Sequence, residues 1–312
     1  MSQHAFTLDA PPAWLIALLG QHLPHSATLL TRLQLSQLPN GRTATARVLF
    51  ASPVPDLAAL SDASRAPAAF TAAYLDFGEA PETEMFLYST LEDGAPPCAT
   101  DAGTDADTDT DMYAAQLQAL IDAAARVQAA QPGGSRFGNK ALLGSLNTAT
   151  RRVLEGMRRC EIRPFGTWDK WLFEEQRLPD LGDALPEGMF WDEASREDLR
   201  VFLARGNIPR SIDTMVRLPS LVIKLEDKTP IAWALLGLDG ALCSLFCEEA
   251  YRGRGLSKKL AAKLLRDNAH RYAQGARMSS DVASSNHASR GICKALNGVL
   301  SWEVAWVYLF LD

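Results

Sequence analysis

Cysteine is scarce in this chain of 312 residues. Five are present, an odd number, scattered at Cys98, Cys160, Cys243, Cys247 and Cys293. That count and scatter exclude a disulfide framework and argue for reduced thiols. No set of ligand residues has zinc spacing, so no metal site is expected. Long unbroken apolar runs are missing too. The most apolar long stretch, residues 231–247, is interrupted by Asp239-Gly240, a hairpin signal, so no membrane span is expected. The opening MSQHAFTLDAPPAW has no basic segment ahead of an apolar core. No secretory leader is therefore expected, and the cytoplasm is the expected location. Positive charge is not in excess: the formal net charge is −6, which disfavours a nucleic-acid partner. Hydrophobic residues make up 47%, enough for a substantial core, and the length suits two domains.

Against that acidic background, one stretch concentrates positive charge. Residues 242–263 read LCSLFCEEAYRGRGLSKKLAAK. Leu242, Cys243, Leu245, Phe246 and Cys247 form an apolar run of strand length. Arg252-Gly253-Arg254-Gly255 follows, and then Leu256, Leu260 and Leu264 recur at helical spacing. A glycine turn opening a helix presents free backbone N–H groups and the positive end of the helix dipole. That combination cradles phosphate. A dinucleotide fingerprint requires a glycine at Lys258, and a P-loop requires Lys-Ser/Thr directly after Gly255, so neither applies. A solvated basic turn is the plain alternative.

The pattern Arg252-x-x-Gly255-x-Ser257, after a strand and opening a helix, resembles motif A of the GNAT acyltransferase superfamily. Ser257 stands where that motif usually has Gly or Ala. The surrounding order is that of a GNAT core: strand, strand, turn and helix, strand at 278–282, helix at about 288–296. Asn286, with Ser289 three on, falls where the superfamily places an Asn before its last helix. Pro230-Ile231-Ala232-Trp233 and Glu249-Ala250-Tyr251-Arg252-Gly253 are similar to glycine N-acyltransferase-like proteins, over roughly residues 219–296. The resemblance implies an α+β fold, a mixed and mostly antiparallel sheet flanked by helices. It implies an acyl-CoA co-substrate, acetyl-CoA by default, and a small-molecule amine acceptor. Its pyrophosphate would rest on Arg252, Gly253, Arg254, Gly255, Leu256 and Ser257. A backbone amide near Phe246 or Cys247 would receive the oxyanion. Asn286 and Ser289 would contact the pantetheine arm or outer phosphates, and Cys293 occupies the position of the superfamily's general-acid Tyr.

The N-terminal half follows a similar order. Strands are expected at 43–50, 70–77, 84–90 and 141–146, and helices at 11–19 and 148–157. A further helix is capped by Asp111, carries Leu117, Leu120, Ile121, Ala124 and Val127 on its apolar face, and stops at Pro132-Gly133-Gly134. Residues 160–165 and 168–173 are expected to close the sheet as a hairpin. This order predicts a tandem GNAT-like fold, with a degenerate first copy. Where the second half has RGRG, the first has an acidic loop at 98–111 with five aspartates, which repels phosphate. Turn residues cluster at 178–186 and place the expected domains at 1–178 and 186–312. Ser195, with Asp198 three on, is an expected N-cap, and Gly275 an expected C-cap. The aromatic tail at 299–311 fits one long strand or a tight pair.

An amine attacking a thioester must lose a proton. The resemblance places a catalytic Glu at a position that holds Ala241 here. The replacement carboxylates singled out are Asp281, at the end of the fifth strand, and Glu248 beside the turn; Glu249 and His287 are weaker choices. Asp281, Glu248 and Glu249 each have a plainer role in bonding or orienting neighbouring groups, and His287 as an exposed loop residue. Cys243 and Cys247 are an even number of residues apart and would share a strand face, but no His–Asp pair accompanies them, which disfavours a covalent route. Two other functions fit the missing Glu and Tyr or the fold. One is an acyl-CoA-binding sensor without transferase activity. The other is a protein lysine acetyltransferase, which predicts an open acidic groove.

Overall fold

The computed structural model describes residues 2–58, 66–79, 82–94, 107–131, 133, 135–206, 208–271 and 277–312. Most of the acidic loop at 98–111 lies outside these residues, as do Pro132, Gly134 and Gly275. The chain begins with β1 (His4–Leu8), α1 (Ala13–Gln21), α2 (Ala27–Ser36), β2 (Arg47–Ser52), β3 (Thr71–Leu75) and β4 (Met85–Ser89). It continues through α3 (Asp107–Ala129), β5 (Lys140–Asn147), α4 (Thr148–Gly156) and β6 (Cys160–Phe173). The second half comprises β7 (Met189–Asp192), α5 (Arg196–Arg205), α6 (Ile212–Met215), β8 (Ser220–Leu225), β9 (Pro230–Leu236) and β10 (Leu242–Cys247). It closes with α7 (Leu256–Asp267), β11 (Met278–Ala283), α8 (His287–Ala295) and β12 (Val299–Phe310). Each half therefore runs strand, two helices, three strands, helix, strand, helix, strand. The fold is α+β and repeated in tandem.

Two compact units result, Met1–Trp168 with Trp302–Asp312, and Asp169–Ser301. The boundary thus falls inside β6 and not at 178–186, and the tail belongs to the first unit. Turn-rich composition marks where the chain bends, but strand pairing decides unit membership. In the first unit the strand order is β1-β2-β3-β4-β5-β12-β6. β12 pairs antiparallel with β5, from Val304 opposite Asn147 to Phe310 opposite Lys140. It is one long strand. β6 is also one strand instead of the expected hairpin: Gly166 has φ +74° in its middle, and this bends the strand without reversing it.

The first core lies between this sheet and α3. The α3 residues Leu117, Leu120, Ile121, Ala124 and Val127 pack with Leu49, Leu75, Leu143 and Val307. The α3 helix starts at Asp107, so Asp111 lies inside it and is not its cap. In the second unit β10-β9-β8-β7 form an antiparallel sheet. Its two faces are covered differently. Ala232, Ala234, Leu236 and Leu242 pack on Leu256, Leu260 and Leu264 of α7. Trp233 and Leu235 face Leu199 and Phe202 of α5. The helix α5 is held by the capping box expected from its sequence. Ser195 Oγ accepts from the Asp198 N–H at 3.2 Å, and Asp198 accepts from the Ser195 N–H at 2.7 Å.

Candidate functional site

The β10 strand is an edge of its sheet, and its ladder with β9 fixes which backbone groups point outward. Ala241 accepts from the Gly237 N–H (2.8 Å), and the Glu248 N–H donates to Ile231 (2.8 Å). The register places Leu242 opposite Leu236, Cys243 opposite Leu235, Phe246 opposite Trp233 and Cys247 opposite Ala232. Alternation then commits the Phe246 amide to β9 and turns the Cys247 amide to the outer edge. Between Cys243 and Phe246 the register slips, so Ser244 and Leu245 together oppose Ala234. Ser244 sits at φ +52°, marking this bulge. The one polar residue in the apolar run LCSLFC was its only signal in the sequence.

The bulge also corrects the reading of the cysteines. A regular strand would put Cys243 and Cys247 on one face. The extra residue changes the parity, and Cys243 packs on the α5 side while Cys247 is buried on the α7 side. Burial pushes the Cys247 thiol up, although the Ser257 hydroxyl and Arg252 partly offset it. On the α5 side the Phe246 ring stacks on Trp233 (4.7 Å between centroids), which stacks on Phe202 (4.3 Å).

Beyond β10 the chain turns through Arg252–Gly255 into α7. Gly253 and Gly255 both have φ +77°, a region that penalises any residue with a Cβ. A Cβ at either would meet no atom within 4 Å, so these glycines serve backbone shape and leave open space in front. Arg252 Nε donates to the Cys247 carbonyl at 3.0 Å, and Arg254 Nη2 to the Ala250 carbonyl at 3.2 Å. Both arginines are exposed and brace the turn while lending it charge. The first intrahelical bond of α7 runs from the Lys259 N–H to the Gly255 carbonyl (3.1 Å), which leaves the amides of Leu256, Ser257 and Lys258 at the open N-terminus.

The β11 strand lies beside β10, but the two share no backbone ladder. Ser280, on β11, donates its hydroxyl to the Leu242 carbonyl at 2.9 Å. α8 follows, with Asn286 as its N-cap accepting from the Ser289 N–H at 3.1 Å. That bond uses the Asn286 carbonyl oxygen, so the side-chain amide N–H groups remain for a ligand. Cys293 is a core residue, 3% exposed, and burial pushes its thiol up to about 12. It faces the core around α7 instead of the turn, which removes it from the expected pantetheine contacts.

The two carboxylates meet different fates. Asp281 is within β11, and both its oxygens lie against Lys170 Nζ, at 2.8 and 3.1 Å. The Asp281 and Lys170 side chains are 5% and 1% exposed, so this is a buried ion pair. A carboxylate already holding an ammonium is poorly placed to take a proton from a substrate. The sequence showed no link between positions 111 residues apart. Glu248 lies on the α5 side of the sheet, by the same parity as Phe246, and accepts from Arg205 Nε at 2.9 Å. That pair is open to solvent, with side chains 24% and 52% exposed, and holds Glu248 only weakly. His287 and Glu249 are exposed. Among the described residues no group of His, Cys, Asp and Glu is arranged to hold a metal ion, and no helix is long and apolar enough to cross a membrane.

The corresponding strand edge in the first unit is occupied. β4 and β5 do form a parallel ladder, at Met85–Leu143 and Phe86–Gly144. Past the end of β4, the buried Glu92 carboxylate accepts from the Ser89 N–H (3.2 Å) and the Thr150 hydroxyl (2.9 Å). Glu92 thus ties the end of β4 to α4.

An edge strand with a bulge, an outward amide, a glycine turn and a helix N-terminus thus lie together along β10 and the start of α7. Residues 3–171 match the acyl-CoA N-acyltransferase verG N-terminal domain, and residues 172–298 match the acetyltransferase (GNAT) family. The chain is a tandem GNAT-superfamily N-acyltransferase that uses an acyl-CoA co-substrate. More particularly, it belongs to the family defined by the verG N-terminal domain, whose match spans over half of its length. A Drosophila protein of known structure shares 14% identity and a TM-score of 0.60, over 94% of this chain and 96% of that one. A tandem GNAT protein from the clavulanic acid biosynthesis pathway shares 10% identity and a TM-score of 0.53, over 100% and 99%. These two likenesses concern the fold. No curated protein matches the chain.

Proposed function

We propose that the second unit transfers an acetyl group from acetyl-CoA to the amine of a small molecule by direct attack. The observation that carries this reading is the contrast between the two copies of the fold. The outer edge of β10 carries no ladder and ends at the open glycine turn, whereas the edge of β4 is laddered to β5. In this reading the pyrophosphate rests on Arg252–Ser257, and Asn286 and Ser289 meet the pantetheine arm or outer phosphates. The pantetheine lies along the outer edge of β10 and the thioester reaches the bulge. The oxyanion donor is an outward amide, at Cys247 or in the bulge, because the Phe246 amide is committed to β9.

Acetyl is favoured as donor group because the matched family is named for acetyl transfer. A small acceptor is favoured by the charge of the α5–α6 segment. Residues 196–217 contain five arginines and three acidic residues. Such a face suits a lysine-bearing protein tail poorly and an uncharged or acidic amine well. Glu248 is the base in this scheme: it faces the α5 side, beside the Cys247 amide, and touches solvent. The amine nitrogen bonds to the acyl carbon, the C–S bond breaks, Glu248 takes the amine's proton, and solvent protonates the departing thiolate. Direct attack is favoured over an acyl-cysteine intermediate because both nearby thiols, Cys247 and Cys293, are buried and pushed upward.

Thiol release from acetyl-CoA against a panel of amines, amino acids and polyamines tests the reading, with calorimetric binding on the same sample. The expected result is release with one acceptor class. Glu248→Gln should lower kcat while acetyl-CoA affinity stays unchanged. Binding without release from any amine would count against the proposed acceptor class.

A further inference from the structure

We propose that Ser280 sets the acyl-chain length this enzyme accepts, by closing the floor of the gap between β10 and β11; the inference rests on the acyl-CoA placement above. These strands are joined through α7 and so run in the same direction, the arrangement in which neighbours ordinarily share a ladder. Here they share none. A side-chain hydroxyl spans them instead, from Ser280 Oγ to the Leu242 carbonyl at 2.9 Å. Both ends of this clasp are buried, Ser280 at 6% and Leu242 at 4% exposure. Leu242 is the first residue of β10, so the clasp stands at the opposite end of the strand from the glycine turn. By the β9 register the Leu242 carbonyl faces outward, like the Cys247 amide. The clasp therefore lies on the same open edge that the pantetheine would follow.

The dimensions give the clasp its consequence. From Leu242 to Cys247 the edge is about 16 Å long, at roughly 3.3 Å per residue. The arm of the coenzyme uses the part from Cys247 to the bulge at Ser244–Leu245. Only the stretch from the bulge to Leu242, about 7 Å, is left for the acyl group, and the hydroxyl bridge stands at its end. An acetyl group fits with room to spare. A six-carbon chain, about as long as the whole remaining gap, runs into Ser280.

The test uses the intact chain and stable thioethers, S-ethyl-, S-butyl- and S-hexyl-CoA, with calorimetric affinities. A chain that gains a buried seat for each methylene gains about fourfold in affinity per methylene. We expect wild-type protein to lose that gain beyond butyl, so that hexyl binds no better than butyl. Ser280→Gly should restore it and raise the hexyl-to-ethyl affinity ratio at least tenfold. Ser280→Thr keeps the hydroxyl and adds a methyl group, and should lower the butyl-to-ethyl ratio. Wild-type affinity that climbs steadily from ethyl through hexyl would overturn the inference while leaving the acyl-CoA site intact, whatever the variants do. Ratios that are the same in wild type and a folded Ser280→Gly would overturn it too. Failure of CoA and of all three thioethers to bind would overturn the placement itself, and the clasp's role with it.

Discussion

Gly255 offers a way to separate the shape of the phosphate turn from its charge. At φ +77° a residue with a Cβ is strained by about 1–2 kcal/mol, and Asn and Asp are the side chains that bear this conformation best. A Cβ here meets nothing within 4 Å, so neither substitution collides with the fold. Gly255→Asn and Gly255→Asp are nearly isosteric and differ by one charge. If a pyrophosphate lies in front of this residue, its two charges at about 5 Å repel the aspartate by about 1.7 kcal/mol even at the dielectric of water. That corresponds to about a twentyfold loss of CoA affinity for Asp relative to Asn, measured by calorimetry at low salt. The difference should shrink as salt is raised. Acetyl-pantetheine has no phosphates and should bind both variants alike. Both should melt within a few degrees of each other. Equal CoA affinity in the Asn and Asp variants would refute the placement of the pyrophosphate on this turn.

Two further outcomes concern groups that the proposed chemistry leaves aside. Removing one member of the buried Lys170–Asp281 pair strands the other, so Asp281→Asn should cost about 3–5 kcal/mol in chemical denaturation, and Lys170→Met with Asp281→Leu should recover most of it. Loss of activity in Asp281→Asn at unchanged stability would instead return Asp281 to the role of base. In the first unit, burial lifts the Glu84 carboxyl from 4.5 to about 7, against hydrogen bonds from the Leu142 N–H and the Ser135 hydroxyl. Between those values the unfolded chain has released the proton and the folded chain keeps it, so Glu84 makes stability fall as pH rises from 4.5 to about 7. Denaturation midpoints of wild type minus Glu84→Gln should decline across that window, and a flat difference would show that Glu84 does not titrate there.

What the sequence disclosed was mostly local. The strand-to-helix turn at RGRG, the Leu256–Leu260–Leu264 stripe and the Ser195 capping box each involve neighbours within a few turns of chain, and each is found where its residues place it. Periodicity also carried the α3 face and the order of elements that reveals the repeat. What remained hidden depends on partners far away in the chain. Lys170 and Asp281 are 111 residues apart, and neither position alone announces a buried ion pair. The tail at β12 reads as a closing strand of the second copy, yet its ladder is with β5 of the first unit. The β6 stretch reads as a hairpin, yet it is one strand from Cys160 to Phe173 that passes through Gly166 at φ +74°.

The bulge in β10 belongs to a third kind, legible in part. A serine inside an apolar run signals an interruption, but not that one extra residue changes the face of everything after it. That single change of parity has three effects. It separates Cys243 from Cys247, sends Phe246 and Glu248 to the α5 side, and turns the Cys247 amide outward. A regular strand would place Cys247 on the α5 face with Cys243 and commit its amide to β9. The counterpart strand in the first unit, β4, pairs with β3 in unbroken register from Met85 to Ser89 and holds β5 directly on its other edge. Among the described residues, the two copies thus share one element order and differ at this strand in an inserted residue and a ladder. Those differences are sufficient to explain why the reading of an acyl-CoA site attaches to the second unit and not to the first.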